Sequence, residues 1–147
     1  MDVVKIQAEA IKSLIEYNRA MYFIKGSTAY LSIDGTEVFV IPADMFWLNL
    51  KREPVKAIPK LFENFEKSKR LEAKRTDIMK YTDKKNGTAI KYKTDEYDVW
   101  FAERRLKRYG KLEKLKIMAT GELRPAGIYD EGNNLLGILS PMRITEN

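Results

Sequence analysis

Two turn signals constrain this chain before anything else does. Asp34-Gly35 and Asn86-Gly87 each lie between runs rich in aromatic and β-branched residues: AMYFIKGSTAYLSI before the first and EVFVIP after it, DIMKYTDKK before the second and TAIKYK after it. Asp-Gly and Asn-Gly accept the positive φ that a tight hairpin demands, and alternation puts every second side chain on one sheet face. Residues 20–42 therefore read as strand, turn, strand, tight hairpin, strand, with Pro42 ending the run because it cannot donate to a central ladder. Residues 77–101 read as a second hairpin followed by a further strand.

Helical spacing appears between these runs. In QAEAIKSLIEYNR, Ala8, Ile11, Leu14 and Ile15 recur at offsets of three, four and seven, which predicts an amphipathic helix with that stripe inward. ADMFWLNLK predicts a short helix packing Phe46 and Trp47. REPVKAIPKLFENFEKSKRLEAKR has two prolines followed by Ile58, Leu61, Phe62 and Phe65 on one face, the pattern of a charged connecting helix. AERRLKRYGKL predicts a further short helix with Ala102, Leu106 and Tyr109 inward and Gly110 as its stop. The remainder gives two or three strands around DEGNN. Its last apolar run, LLGILSPMRI, must dock into a sheet or form part of a binding surface, because a terminus left in water is normally polar.

The expected fold class is α+β. The two ends read alike, as strand, helix, meander of strands and closing proline: KIQAEAIK leads to FVIP, and VWFAERRLK leads to ILSP. This predicts a single domain over 1–147, with pseudo-repeated halves at about 1–53 and 76–147, a charged connector between them, and the helices on one face of antiparallel sheets.

Composition narrows the chemistry. A 44% hydrophobic chain of 147 residues can bury a core unaided, and with no cysteine and no histidine it has no disulfide framework, no Cys or His zinc site, and no thiol or imidazole base. KGSTAY lacks the Lys-Ser or Lys-Thr ending of a phosphate loop. The carboxylates Asp95, Glu96 and Asp98, or Asp130 and Glu131, are scattered where a metal-dependent nuclease would need several converging with a lysine. The expectation is a protein that is not an enzyme and uses no cofactor and no metal. No apolar run nears the roughly 18 residues that span a bilayer, and MDVVKIQAEAIK is unlike a secretory leader. A cytoplasmic protein with no membrane partner is expected.

The net charge of +6 is unevenly spread, with fourteen basic and six acidic side chains over residues 51–93 and seven against two over 102–116. On the second helix Arg104, Arg108 and Lys111 fall on one face, with Arg105 and Lys107 beside them. Together with Lys12 and Arg19 of the first helix they are the expected DNA contacts, since several cations on one face can reach a phosphate backbone together. The alternative for each is a solvated surface. The aromatics Tyr22, Tyr30, Tyr92, Tyr97 and Trp100 interleave with lysines, as on a surface that stacks bases, though alternation along strands favours packing.

From Tyr97 onward, YDVWF, AERRLKRYGKL, EKLKIMATGELRPAGIY, DEGNN and LLGILSPMRI resemble in order the C-terminal end of the bacterial DNA polymerase III beta sliding clamp, which closes on a Pro-Met-Arg tail. Family members commonly carry Met before that proline, where this chain has Ser140. The resemblance implies a processivity-clamp-like domain whose helices look toward DNA. It also implies that Pro141, Met142 and Arg143 contact a protein partner. A clamp ring resembles six such domains, so with one domain either six copies assemble through sheet edges, fewer copies join a larger clamp, or the fold serves something other than encirclement, and a homo-oligomer is the expectation.

These readings converge on a DNA-associated, replication-linked scaffold, with size and lysine content suiting a phage or mobile element. The alternative is an inhibitor or adaptor that engages a host protein through the same surface without encircling DNA.

Overall fold

The computed structural model describes residues 1–50 and 52–145. Its elements in chain order are α1 (Val3–Tyr17), β1 (Met21–Lys25), β2 (Thr28–Ser32), β3 (Glu37–Pro42), α2 (Ala57–Lys67), β4 (Leu71–Asp83), β5 (Gly87–Lys93), β6 (Asp98–Ala102), α3 (Glu103–Leu106), β7 (Lys116–Ala119), β8 (Ala126–Tyr129) and β9 (Leu135–Leu139). All nine strands pair antiparallel in one sheet of order β1-β2-β3-β9-β8-β7-β4-β5-β6. The α+β class read from the sequence is the observed one. Met142, just past β9 in the middle of this order, bridges to Trp100 on the last strand, β6, so the sheet must curl back toward closure.

Alternation sorts the strand residues onto two faces. Phe39, Leu31, Ile90, Phe101, Ile117, Ile128 and Leu139 pack on the concave face with Ile6 and Ala10 of α1 and with Leu106 and Tyr109 of the α3 segment. Their neighbours Val38 and Ile138 point the other way and pack under Ile58, Phe62 and Phe65 of α2. α1 and α3 therefore share one face, while α2 covers the opposite one. Burial of these large side chains supplies ~1.5–3 kcal/mol each, the main force closing the fold.

Two close approaches seat these layers. A Cβ on Gly127 would run into the ring of Phe65, and one on Gly137 into Val38 O and the Tyr109 ring. Glycine at each position lets an aromatic side chain lie directly on the sheet.

Several sequence expectations are corrected. α1 buries Ile6, Gln7, Ala10 and Ser13, whereas Ile15 is 78% exposed and Ala8 also faces solvent. The helix has a second apolar row, and the core takes the face where Gln7 and Ser13 can anchor loops. Gln7 Nε2 donates to Met45 O at 3.0 Å, Gln7 Oε1 accepts from Trp47 N at 2.9 Å, and Ser13 Oγ donates to Ile33 O at 2.6 Å. After Pro42 only a single 3-10 turn forms, Ala43–Met45, and Trp47 is 56% exposed.

The expected charged connector is helical only to Lys67, and its end, from Leu71, is already β4. In α2 Leu61 is exposed, unlike its expected face-mates. The two halves do not match as read: α1 begins at Val3 with no strand before it, and it runs 15 residues against 4 in α3. Beyond Leu106 the backbone turns instead of continuing the helix, and Gly110 at φ 147° ends the segment.

Candidate nucleic-acid interface

α3 starts where β6 ends, so its side chains fan out over the concave face beside α1. Two of the arginines expected to meet DNA turn inward instead. Arg105 Nη1 donates to Asp34 Oδ2 at 2.8 Å, to Glu37 Oε2 at 3.2 Å and to Thr36 Oγ1. Arg108 Nη1 donates to Glu37 Oε2 at 3.4 Å, and its Nε lies 3.1 Å from Glu9 Oε2 as an ion pair outside hydrogen-bond alignment. Glu37 has no exposed side-chain surface, and its other oxygen accepts from the Ile33 and Asp34 amides at 2.9 and 3.3 Å. The bend between β2 and β3 is thus bolted to α3 and α1 by charge. Arg105 and Arg108 are corrected from phosphate contacts to internal counter-ions. Half-buried arginines stay beside the buried Glu37 carboxylate because that charge left alone would be costly to desolvate.

The protonation of this network follows from its surroundings. Burial opposes ionisation of Asp34, but hydrogen bonds from Thr36 and Arg105 and the Arg105 charge outweigh it and hold the carboxyl well below its usual range. Burial, then the Asp34 charge, push Glu37 up, against the pull of Thr36 and Arg108. Burial pushes the Tyr109 hydroxyl well up as well, and it donates to Ile138 O at 2.9 Å.

A cleft of ≈ 760 Å³ separates α1 from the α3 segment. Lys5, Arg75, Arg104, Lys107, Arg108 and Lys111 line it, together with Asp2, Glu9, Glu103 and Glu113. Arg108 is spent on Glu9, Lys107 pairs with Glu103 at 3.5 Å, and Asp2 caps α1 by accepting from Lys5 N at 3.0 Å. That leaves Lys5, Arg75, Arg104 and Lys111 against Glu113 and the capping Asp2, a cationic surplus facing water. Arg104 also donates to Lys85 O, which brings the β4–β5 turn, with Lys84 and Lys85, against α3.

Of the other expected DNA contacts, Lys12 and Arg19 are exposed but do not line the cleft. Lys5 and Lys12 lie seven residues apart on one row of α1, whereas Arg19, expected on that helix, follows its left-handed Asn18 cap and lies outside it. Arg19 lies 5.7 Å above the Tyr17 ring. Of the interleaved aromatics, Tyr92 and Trp100 are buried and Tyr22, Tyr30 and Tyr97 half-buried, so they serve packing.

The expected partner-binding tail sits elsewhere. Ser140 N donates to Thr36 O at 2.8 Å and Met142 N to Trp100 O at 2.7 Å, which lays the tail along β6. Met142, Arg143 and Ile144 then line a second cleft, ≈ 440 Å³, with Trp100, Leu123, Asp98 and Glu122. Pro141 is half-buried behind it.

Sequence reading missed Glu9, Asp34, Thr36 and Glu37 as a network, and Lys5 and Arg75 as cleft residues. A signal was present for Glu37. It falls in register with Phe39 and Ile41 in TEVFVI, so alternation places a carboxylate on the core face, where it must find cations. No family model matches this chain, and no match exists among the curated proteins or among the solved structures.

Proposed function

We propose that this chain is a non-enzymatic, DNA-associated scaffold that meets the phosphate backbone through the α1–α3 cleft, in a clamp-like arrangement linked to replication. The observation that carries this reading is the cleft's surplus of cations with no carboxylate partner among the described residues, Lys5, Arg75, Arg104 and Lys111, beside the lysine-bearing β4–β5 turn to which Arg104 is hydrogen-bonded. Phosphates bind such a surface without sequence information and release counter-ions as they do. α1 and the α3 segment, joined by the Arg108–Glu9 pair on one face of a curved layer of strands, support the sliding-clamp resemblance despite their unequal lengths, as does the Pro-Met-Arg tail docked on β6. Self-association through sheet edges belongs to the same proposal.

The test is fluorescence anisotropy with a labelled duplex over a series of salt concentrations. Four phosphate contacts give a log-log slope of about −3.6, and replacing Arg104 and Lys111 together by alanine brings it to about −1.8. A flat salt dependence, or a slope unmoved by those substitutions, overturns the reading.

A second reading rests on a different surface. Trp100, Leu123, Met142 and Ile144 line the smaller cleft together with Asp98, Glu122 and Arg143, a mixed lining suited to a short linear segment of a protein partner that carries both apolar and charged side chains. Methionine in such a place repacks around different ligands. An adaptor or inhibitor would bind through this cleft with affinity indifferent to the α1–α3 cations.

A further inference from the structure

We propose that the face of the β4–β5 hairpin leading out of the cleft binds unpaired nucleic-acid bases, with Tyr81 as the stacking platform. This rests on the phosphate-binding reading of the cleft and adds to it a preference for single strands.

Arg75 pairs with Tyr92, Met79 with Ile90, and Tyr81 with Thr88. Residues directly opposite in an antiparallel ladder share a face, and Tyr92 and Ile90 belong to the concave core. Arg75, Met79 and Tyr81 therefore form one row that starts in the cleft and runs outward past the end of the core. Inside the core such positions are covered. Here Met79 is 45% and Tyr81 66% exposed.

Two further features keep this row open. β4 pairs with β7 only from Leu71 to Ala73, so among the described residues its outer half has a strand neighbour on one side alone. Lys80 alternates to the opposite face, where it donates to Thr145 O at 2.8 Å, so the chain's tail lies across the other side of the hairpin. Cations bracket the exposed ring, with Arg75 and Arg104 toward the cleft and Lys84 and Lys85 at the turn. Asp83 is occupied in the turn itself, where it accepts from Asn86 N at 2.6 Å.

A flat aromatic ring in water between phosphate-binding cations is the combination that holds single strands, because every base presents a π face whatever its identity. Bases in a duplex are already stacked and do not offer that face. The sequence offered Tyr22, Tyr30, Tyr92, Tyr97 and Trp100 for this role, and the fold leaves Tyr81 to fill it.

The experiment compares a labelled 20-mer of deoxythymidine with a 20-base-pair duplex, using the full chain and its Tyr81→Ala and Tyr81→Phe variants. Tyr81→Ala should weaken the single strand about 5- to 150-fold, the worth of one stacked base, and the duplex by less than about twofold. Tyr81→Phe should restore single-strand binding, and the salt slope should stay the same in all three, since no phosphate contact is touched. An unchanged melting midpoint establishes that each variant is folded. Wild-type binding to both nucleic acids with no loss in Tyr81→Ala, or with equal loss on both, overturns this inference alone. Binding to neither overturns the cleft reading beneath it.

Discussion

Glu37 and Asp34 sit three residues apart, share Arg105, and are driven in opposite directions. Asp34 is held low, so the folded protein gives up that proton more readily than the unfolded chain. Its contribution to stability is complete above the unfolded value of about 3.9 and is lost as pH falls toward the folded one. Glu37 is pushed up, so the folded state holds its proton more tightly. Its contribution is complete below an unfolded value of about 4.3 and is lost as pH rises through the folded one. Urea denaturation from pH 2.5 to 7 should therefore show Asp34→Asn removing part of the acid-side loss below about pH 4, and Glu37→Gln removing part of the decline above it. Curves parallel to wild type would mean the two carboxyls titrate alike in both states. This network was hidden from sequence reading because its arginines bond carboxylates 71 residues away and each member alone looks ordinary: a turn aspartate, a strand glutamate and two surface arginines. Charge at a position that alternation assigns to the core was its one visible trace.

At the scale of elements, local chemistry was readable wherever it acts through the backbone. The strand runs around Asp34-Gly35 and Asn86-Gly87 formed, although the first connection takes the four residues 33–36 instead of a tight two-residue turn. Faces were harder. α1 has one apolar row at Val3, Ile6, Ala10 and Leu14 and another at Val4, Ala8, Ile11 and Ile15, and periodicity alone cannot choose between them. The choice was made by Gln7 and Ser13, whose side chains satisfy loop amides and carbonyls that would otherwise be buried bare. The packing of α2 depends on a residue with no side chain. Gly127→Ala forces the Phe65 ring off β8 and should cost about 1–3 kcal/mol in chemical denaturation. Phe65→Ala alone should cost about 3–5 kcal/mol. Because the clash needs both atoms, adding Gly127→Ala to Phe65→Ala should cost close to nothing further. A cost that is the same in both backgrounds would locate the role of Gly127 in its backbone instead.

For the whole molecule, the decisive contact is the one that bends the sheet back on itself. The Met142 bridge to Trp100 joins the tail of a central strand to the last strand in the order, and the long-range pairing of residues 100 and 142 could not be read from any local pattern. The sequence showed only that LLGILSPMRI was too apolar to hang free. Its first half became β9 and its second half covers the outer side of β6, which would otherwise present an open row of backbone donors and acceptors to other chains. Ending the chain after Ser140 removes the Met142 N–H that bonds Trp100 O and uncovers an indole that is 7% exposed. In a Trp47→Phe background, which silences the exposed tryptophan, the truncated chain should show red-shifted emission and a lower melting midpoint. It should also show a mass by light scattering that rises with concentration, as the freed β6 edge pairs between molecules. Unshifted emission and a concentration-independent mass identical to that of the full chain would mean that the curl of the sheet holds without its tail. The closure would then have to come from α1 and the α3 segment packing across the concave face.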